Sequence, residues 1–287
     1  MIGEFHYEIE WRTGRYRPGH HRSKHPGSGF EFANHASLFA SPDPRRLDLH
    51  ATLRNPFGEP IVRVYRQRSA VRVYVLADVS ASLGFIGIVS KRDVLTDFTV
   101  SAAYSAARGG DAFGFYAANQ SIVQELSLPA THARGADQLL AERLQAFQPT
   151  GDSAAGLEDA AALLGRECAL VFLVSDFHFP SAQLESLLRL LGTHHVVPVI
   201  IWDRAEYTVP KRWGLSNIVD IESGKQRTIL ISPTSKERLL KAFQHRRGAL
   251  REIFLRHGLR PLELLDGFEA ERVSQYFLDP HVAAENT

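Results

Sequence analysis

The sequence predicts an α/β fold: a doubly wound, mainly parallel sheet flanked by helices, preceded by an irregular N-terminal extension. Three observations carry this. Residues 71–77, 169–174 and 196–203 are short, β-branched, nearly uncharged runs, as expected of strands buried on both faces of a parallel sheet. Stretches of helical periodicity alternate with them, giving a β-α-β rhythm. Two of the runs also end in acids and hydroxyls, Asp78-Val-Ser80-Ala-Ser82 and Ser175-Asp176, at the sheet edge where open α/β folds bind ligands.

In chain order, residues 1–68 form the extension and 69–287 the α/β domain. The extension is rich in Gly, Pro, His and Arg, without sustained periodicity. Arg12, Arg15, Arg17, Arg22 and Lys24, with His20, His21 and His25 among them and Trp11 and Tyr16 interleaved, make one basic stretch without an acid. A nucleic-acid arm has this composition, but so does a solvated surface or a dock for an acidic protein, and nucleic acid is not expected. The His spacings match no zinc pattern. Residues 61–68 alternate in polarity and are expected to add an edge strand to the core sheet.

After the first strand and its Asp78 loop, residues 91–108 read as a helix that packs on the sheet and stops at Gly109-Gly110-Asp111. Residues 112–116 with 122–124 read as a strand pair, and 133–147 as a second helix. Pro149-Thr150-Gly151-Asp152-Ser153 then opens a helix to Leu164. A helix over 181–191 precedes the third apolar run. Residues 218–221 and 227–231 look like a hairpin at the far side of the sheet. Thr234-Ser-Lys-Glu237 is a capping box that launches a basic helix ending at Gly258. A strand over 259–265 and a helix over 268–277 follow.

Composition narrows the function classes. The 33 Lys and Arg nearly balance the 32 Asp and Glu, giving a net charge of +1, which selects no polyanionic or polycationic partner. A single cysteine, Cys168, excludes an intramolecular disulfide and fits a reducing compartment. Its place before an apolar run predicts a buried small hydrophobe. The N-terminus lacks the charged start and apolar core of a signal peptide, and no run approaches a bilayer span, so a cytoplasmic protein without a membrane span is expected.

The extension carries His-x-Ser, then Gly27-Ser-Gly29-Phe-Glu31-Phe32, then Arg45-Arg46-Leu47-Asp48, and Asp78 follows 30 residues later at the head of Asp-x-Ser-x-Ser. This series resembles the MoxR-associated domain-of-unknown-function family that contains a von Willebrand factor A-like domain. The chain departs from that pattern at Pro42, where the family has an acid, and at Leu49, where it has Trp. These departures, with the lack of N-terminal membrane helices, look like the MxaS-type proteins linked to methanol dehydrogenase maturation.

The resemblance implies a von Willebrand factor A-like sheet with a metal-ion-dependent adhesion site at Asp78, Ser80, Ser82, Ser153 and Asp176. Ser153 stands where the family has Thr, and Thr150 is the alternative hydroxyl in that loop. One loop carboxylate and several hydroxyls are hard oxygen donors suited to Mg²⁺, or to Mn²⁺ or Ca²⁺. The resemblance also implies partners: a MoxR-type AAA+ ATPase, and a client protein with an acidic surface whose assembly or cofactor insertion the pair supports. A non-enzymatic, chaperone-like binding role follows. The chain has no Walker A phosphate loop, and Ser80 stands where an aspartyl-nucleophile phosphotransferase needs a second carboxylate. A metal-dependent hydrolase is the rival class.

Overall fold

Gly, Pro and charge dominate the first third of the chain, yet its longest element is a strand. In the computed structural model, which describes residues 3–9, 18–207, 214–219, 226–231 and 233–279, β1 (Pro18–Ser37) pairs antiparallel with β2 (Ile61–Ser69). Both belong to a unit formed by Ile9–Val71 and Gly109–Asp111. The pairing slips in register at four places, and such bulges erase the period-two alternation by which a strand is recognised in sequence. The extension is therefore not irregular throughout. The edge strand expected over 61–68 exists, but it pairs with β1 in a two-stranded sheet and not with the core sheet. Residues 11, 12 and 15–17 of the basic stretch lie outside the described residues.

Between the two strands, α1 (Leu49–Arg54) starts at Asp48, whose carboxylate accepts from Ala51 N at 3.0 Å. The same buried carboxylate is 2.7 Å from Arg63 Nε and 3.1 Å from His35 Nε2. The Ala51 hydrogen bond first, then Arg63 and His35, hold its acid well below the usual carboxylate range. The Arg-Arg-Leu-Asp motif thus fixes a turn and a strand.

The other unit comprises Met1–Glu8, Arg72–Arg108 and Ala112–Thr287. Its elements follow as β3 (Arg72–Asp78), α2 (Lys91–Gly109), β4 (Ala112–Ala118), β5 (Leu128–Thr131), α3 (Ala136–Ala146), α4 (Gly156–Ala162), β6 (Leu170–Ser175), α5 (Ser181–Leu190), β7 (His195–Trp202), β8 (Gly214–Val219), β9 (Gln226–Ile231), α6 (Pro233–Arg256), β10 (Leu262–Leu265) and α7 (Ala270–Leu278). The central sheet runs β10-β7-β6-β3-β4-β5, parallel except for β5. The mixed α/β architecture with a mostly parallel, helix-flanked sheet is as expected. The strand after β4 is β5, not residues 122–124. Ile122 makes only an isolated bridge to Ala118. The hairpin β8–β9 forms its own sheet instead of extending the central one.

β3 and β6 lie at the middle of the sheet, which is why Val73–Ala77 and Leu170–Val174 are buried, uncharged runs. One face packs Tyr74, Leu76, Val171, Leu173 and Ile200 against Leu157, Leu187, Ile253 and Phe254 of α4, α5 and α6. On the other, Phe172 meets Phe5, Phe98 and Phe277 edge to face. Each fully buried ring of this kind contributes about 1.5–3 kcal/mol. Cys168, expected inside, is exposed, because the buried run starts at Ala169. Among the described residues no helix is long and apolar enough to cross a membrane.

Candidate functional site

Parallel strands all present their last residues at one edge, and β3 and β6 are neighbours, with Ala77 opposite Val174. Asp78 and Asp176 consequently meet at the sheet's carboxyl edge, both fully buried. The loop after β3 turns at once: Asp78 Oδ1 accepts from Ser80 N at 2.9 Å, and Ser80 leads a short 3-10 helix, Ala81–Gly84, without spending its hydroxyl as a cap. Ser80 Oγ and Ser82 Oγ lie 3.2 Å apart. The loop before α4 docks alongside through its backbone, since Ala81 N donates to Gly151 O at 2.9 Å and Thr150 N to Val79 O at 3.3 Å. Gly151 sits at φ +94°, a left-handed conformation that favours glycine.

Asp78, Ser80 and Ser153 line one cavity of about 80 Å³ with Asp152, His178 and Gln183. Thr150 is not among the residues lining it. Ser153 Oγ accepts from Ala155 N at 3.1 Å, so it performs local turn chemistry and retains a lone pair. Asp176 does not line the cavity. Its carboxylate faces Lys91 Nζ at 3.0 Å and His178 Nδ1 at 3.1 Å, and Lys91 Nζ also lies 2.6 Å from Glu206 Oε1. Ser82 is buried beside Ser80.

The electrostatics of the two aspartates diverge. Burial first, and then the charge of Asp176, push the Asp78 acid up to about 6. Its hydrogen bonds from Ser80 N and from Ser175 Oγ, which donates at 2.8 Å, offset this only in part. Burial also opposes the charge of Asp176, but His178 and Lys91 outweigh it and hold that acid well below the usual range. Lys91, fully enclosed, is desolvated yet held above its usual value by Asp176 and Glu206. His178 is likewise desolvated and held up by Asp176.

Asp176, His178 and Glu206 place ligand atoms within 4.8 Å of one another, a spacing that a metal ion can use. Lys91 Nζ already lies between two of the three. With His178 protonated, two cations balance two carboxylates, and no further charge is required.

Of the five residues the sequence singles out, Asp78, Ser80 and Ser153 share the cavity, Ser82 lies beside Ser80, and Asp176 faces Lys91 and His178 instead; Lys91, His178 and Glu206 were not singled out. Only Asp176-Phe-His178 at a strand end hinted at them. The loop after β6 is also strained: Phe177 adopts φ 55°. Its N–H donates to Ser175 Oγ at 2.8 Å, Trp202 Nε1 donates to Asp176 O at 3.0 Å, and Arg246 on α6 donates to the carbonyls of Phe177 and Phe179. The basic helix is therefore not simply a solvated face. Arg247 and Arg251 hold Glu263, and Arg256 holds Glu185.

Residues 42–252 match the family described as protein of unknown function DUF58. A protein of Paracoccus denitrificans described as an uncharacterized protein in the moxR 3′ region is 36% identical over 101 residues, 35% of this chain and 96% of that one. Among solved structures, the chain is similar to BatB of Bacteroides thetaiotaomicron, with 12% identity, TM-score 0.45, and 75% of this chain and 99% of that one covered. It is also similar to an aerotolerance-related membrane protein of Bacteroides fragilis, with 13% identity, TM-score 0.41, and 73% and 97% covered.

Proposed function

The chain belongs to the DUF58 family, and from that membership and the β3 edge we propose that it is a non-enzymatic accessory protein working with a MoxR-type AAA+ ATPase. It binds its partner or client through a divalent cation held in a von Willebrand factor A-like manner. The relative from the moxR 3′ region supports the first part.

One observation carries the second. Asp78 is a buried carboxylate, 1% exposed, with no cationic partner among the described residues, and a buried charge without a partner is costly. The donors around it are hard: the Asp78 carboxylate and the hydroxyls of Ser80, Ser82 and Ser153 suit Mg²⁺, Mn²⁺ or Ca²⁺. Such an ion supplies the missing positive charge and an exchangeable position for an acidic side chain of the partner. Asp176, committed to Lys91 and His178, keeps a second negative charge beside the cavity without entering it. His178 and Gln183 line the cavity wall and select what approaches. The likeness to MxaS-type proteins makes an enzyme under assembly, such as methanol dehydrogenase, the client class.

Calorimetric titration with MgCl₂, and capture of the purified AAA+ ATPase with and without EDTA, test this. Binding of both is expected, with Asp78→Ala folded but unable to bind the ion. Ion affinity unchanged in that variant, or capture that persists in EDTA, would overturn it.

A further inference from the structure

We propose that the open edge of β10 is a second binding site, which takes an extended acidic peptide by strand addition. β10 pairs with β7 from Leu262 opposite Val199 to Leu265 opposite Trp202 and is the last strand in the sheet order. Its outer backbone groups have no strand partner among the described residues, and an unpaired edge is a template for another chain. At about 3.3 Å per residue this edge registers about four residues of a guest strand.

A cavity of about 590 Å³ is lined by the first two residues of β10, Leu262 and Glu263. Arg251 and Leu255 of α6 contribute to it, as do Arg272, Gln275 and Tyr276 of α7, with Pro261, Leu262 and Glu263 of the strand segment between them. Leu255 is 63% exposed and gives alternate side chains of a guest an apolar contact. The charges select the guest's sign. Glu263 is held by Arg247 and Arg251, and Asp279 by Arg260 at 3.0 Å. Arg260 is in turn fixed with its guanidinium 5.5 Å from the centre of the Tyr276 ring. Arg272 makes no ion pair or hydrogen bond with any described residue. Three guanidiniums of the cavity lining, Arg251, Arg260 and Arg272, thus stand against two carboxylates, Glu263 and Asp279, and the uncommitted fork of Arg272 fits a guest carboxylate.

This site is separate from the ion-dependent one, and its test keeps the two apart. The probe is a short fluorescent peptide of alternating Glu and Val, titrated into the intact chain by anisotropy. Two controls accompany it, the same peptide with Lys for Glu and the same peptide N-methylated at alternate amides. The Glu-Val peptide is expected to bind and the Lys-Val peptide not to. N-methylation and Arg272→Glu should each weaken binding about tenfold or more, the loss of one charge-assisted or backbone contact set. EDTA and Asp78→Ala should leave it unchanged. Arg272 is exposed and unpartnered among the described residues, so that variant should fold, which circular dichroism verifies. Absence of Glu-Val binding, or equal binding by the N-methylated peptide or the Arg272→Glu protein, overturns the proposal. Loss of binding in EDTA or in Asp78→Ala overturns it too, because the peptide then sits at the β3 edge.

Discussion

β3 and β6 are adjacent parallel strands, and each carries an aspartate into the same buried edge. The end of β6 is an internally balanced charge cluster: Asp176 and Glu206 face Lys91 and His178. The end of β3 is not balanced: among the described residues, Asp78 is met by hydrogen-bond donors and by no cation. Burial is the same and chemistry is the same, so the counter-ion alone separates an aspartate balanced within the fold from one left without a cation among the described residues.

Removing the balance at β6 gives the largest effect. Lys91→Met leaves Asp176 and Glu206 without their ammonium, and unfolding in urea should show a loss of about 3–5 kcal/mol. A loss under 1 kcal/mol would mean that the cluster does not depend on the lysine. Supplying the balance at β3 is next. Saturating Mg²⁺, at about 100 times its dissociation constant, should stabilise the wild type by about 2.7 kcal/mol and Asp78→Asn not at all, as read from urea midpoints with and without EDTA.

The pH dependence of the ion-free protein sharpens the contrast. The Asp78 acid, raised to about 6 from the usual 3.8, binds its proton more tightly folded than unfolded. Wild-type stability relative to Asp78→Asn should therefore fall as pH rises from about 4 through 6. Asp176 has the opposite sign, because its lowered acid contributes stability above its ordinary range that is lost as pH falls through the folded value. Urea midpoints of both proteins across that window decide it, and a flat difference would place a cation beside Asp78 already. The smallest effect is in the loop before α4: Ser153→Ala should weaken Mg²⁺ binding by about 1 kcal/mol, the worth of one neutral oxygen contact, and Thr150→Ala should leave it unchanged, both read by calorimetric titration.

The sequence exposed what is periodic or local. β3, β6 and β7 were legible because strands buried on both faces read as unbroken apolar runs, and the Asp78 loop because a strand-end turn concentrates Asp and Ser. β1 was not, because its register slips remove alternation. The balance at Asp176 was not, because Lys91 reaches it across 85 residues and a helix-start lysine ordinarily points to water. Arg246 was read as part of a charged face, whereas it caps carbonyls of the Phe177 loop. Cys168 was misplaced by one residue of strand boundary, enough to move it from core to surface.

Phe177 sets two demands at one position. Its backbone, at φ 55°, favours glycine, while its ring, fully buried against Phe254 and Phe179, requires a large aromatic. Neither can be relieved without harming the other, so the peptide is held from outside by Ser175, Trp202 and Arg246, three residues on three elements. In evolutionary terms such a position is locked. A single replacement at any of the three removes a hold on the strained peptide while the bulky ring still requires it, so drift is expected to pass through paired changes. Across family members aligned on the strand-end Ser-Asp, a glycine at position 177 should accompany loss of the arginine at 246, and an aromatic at 177 should accompany its retention.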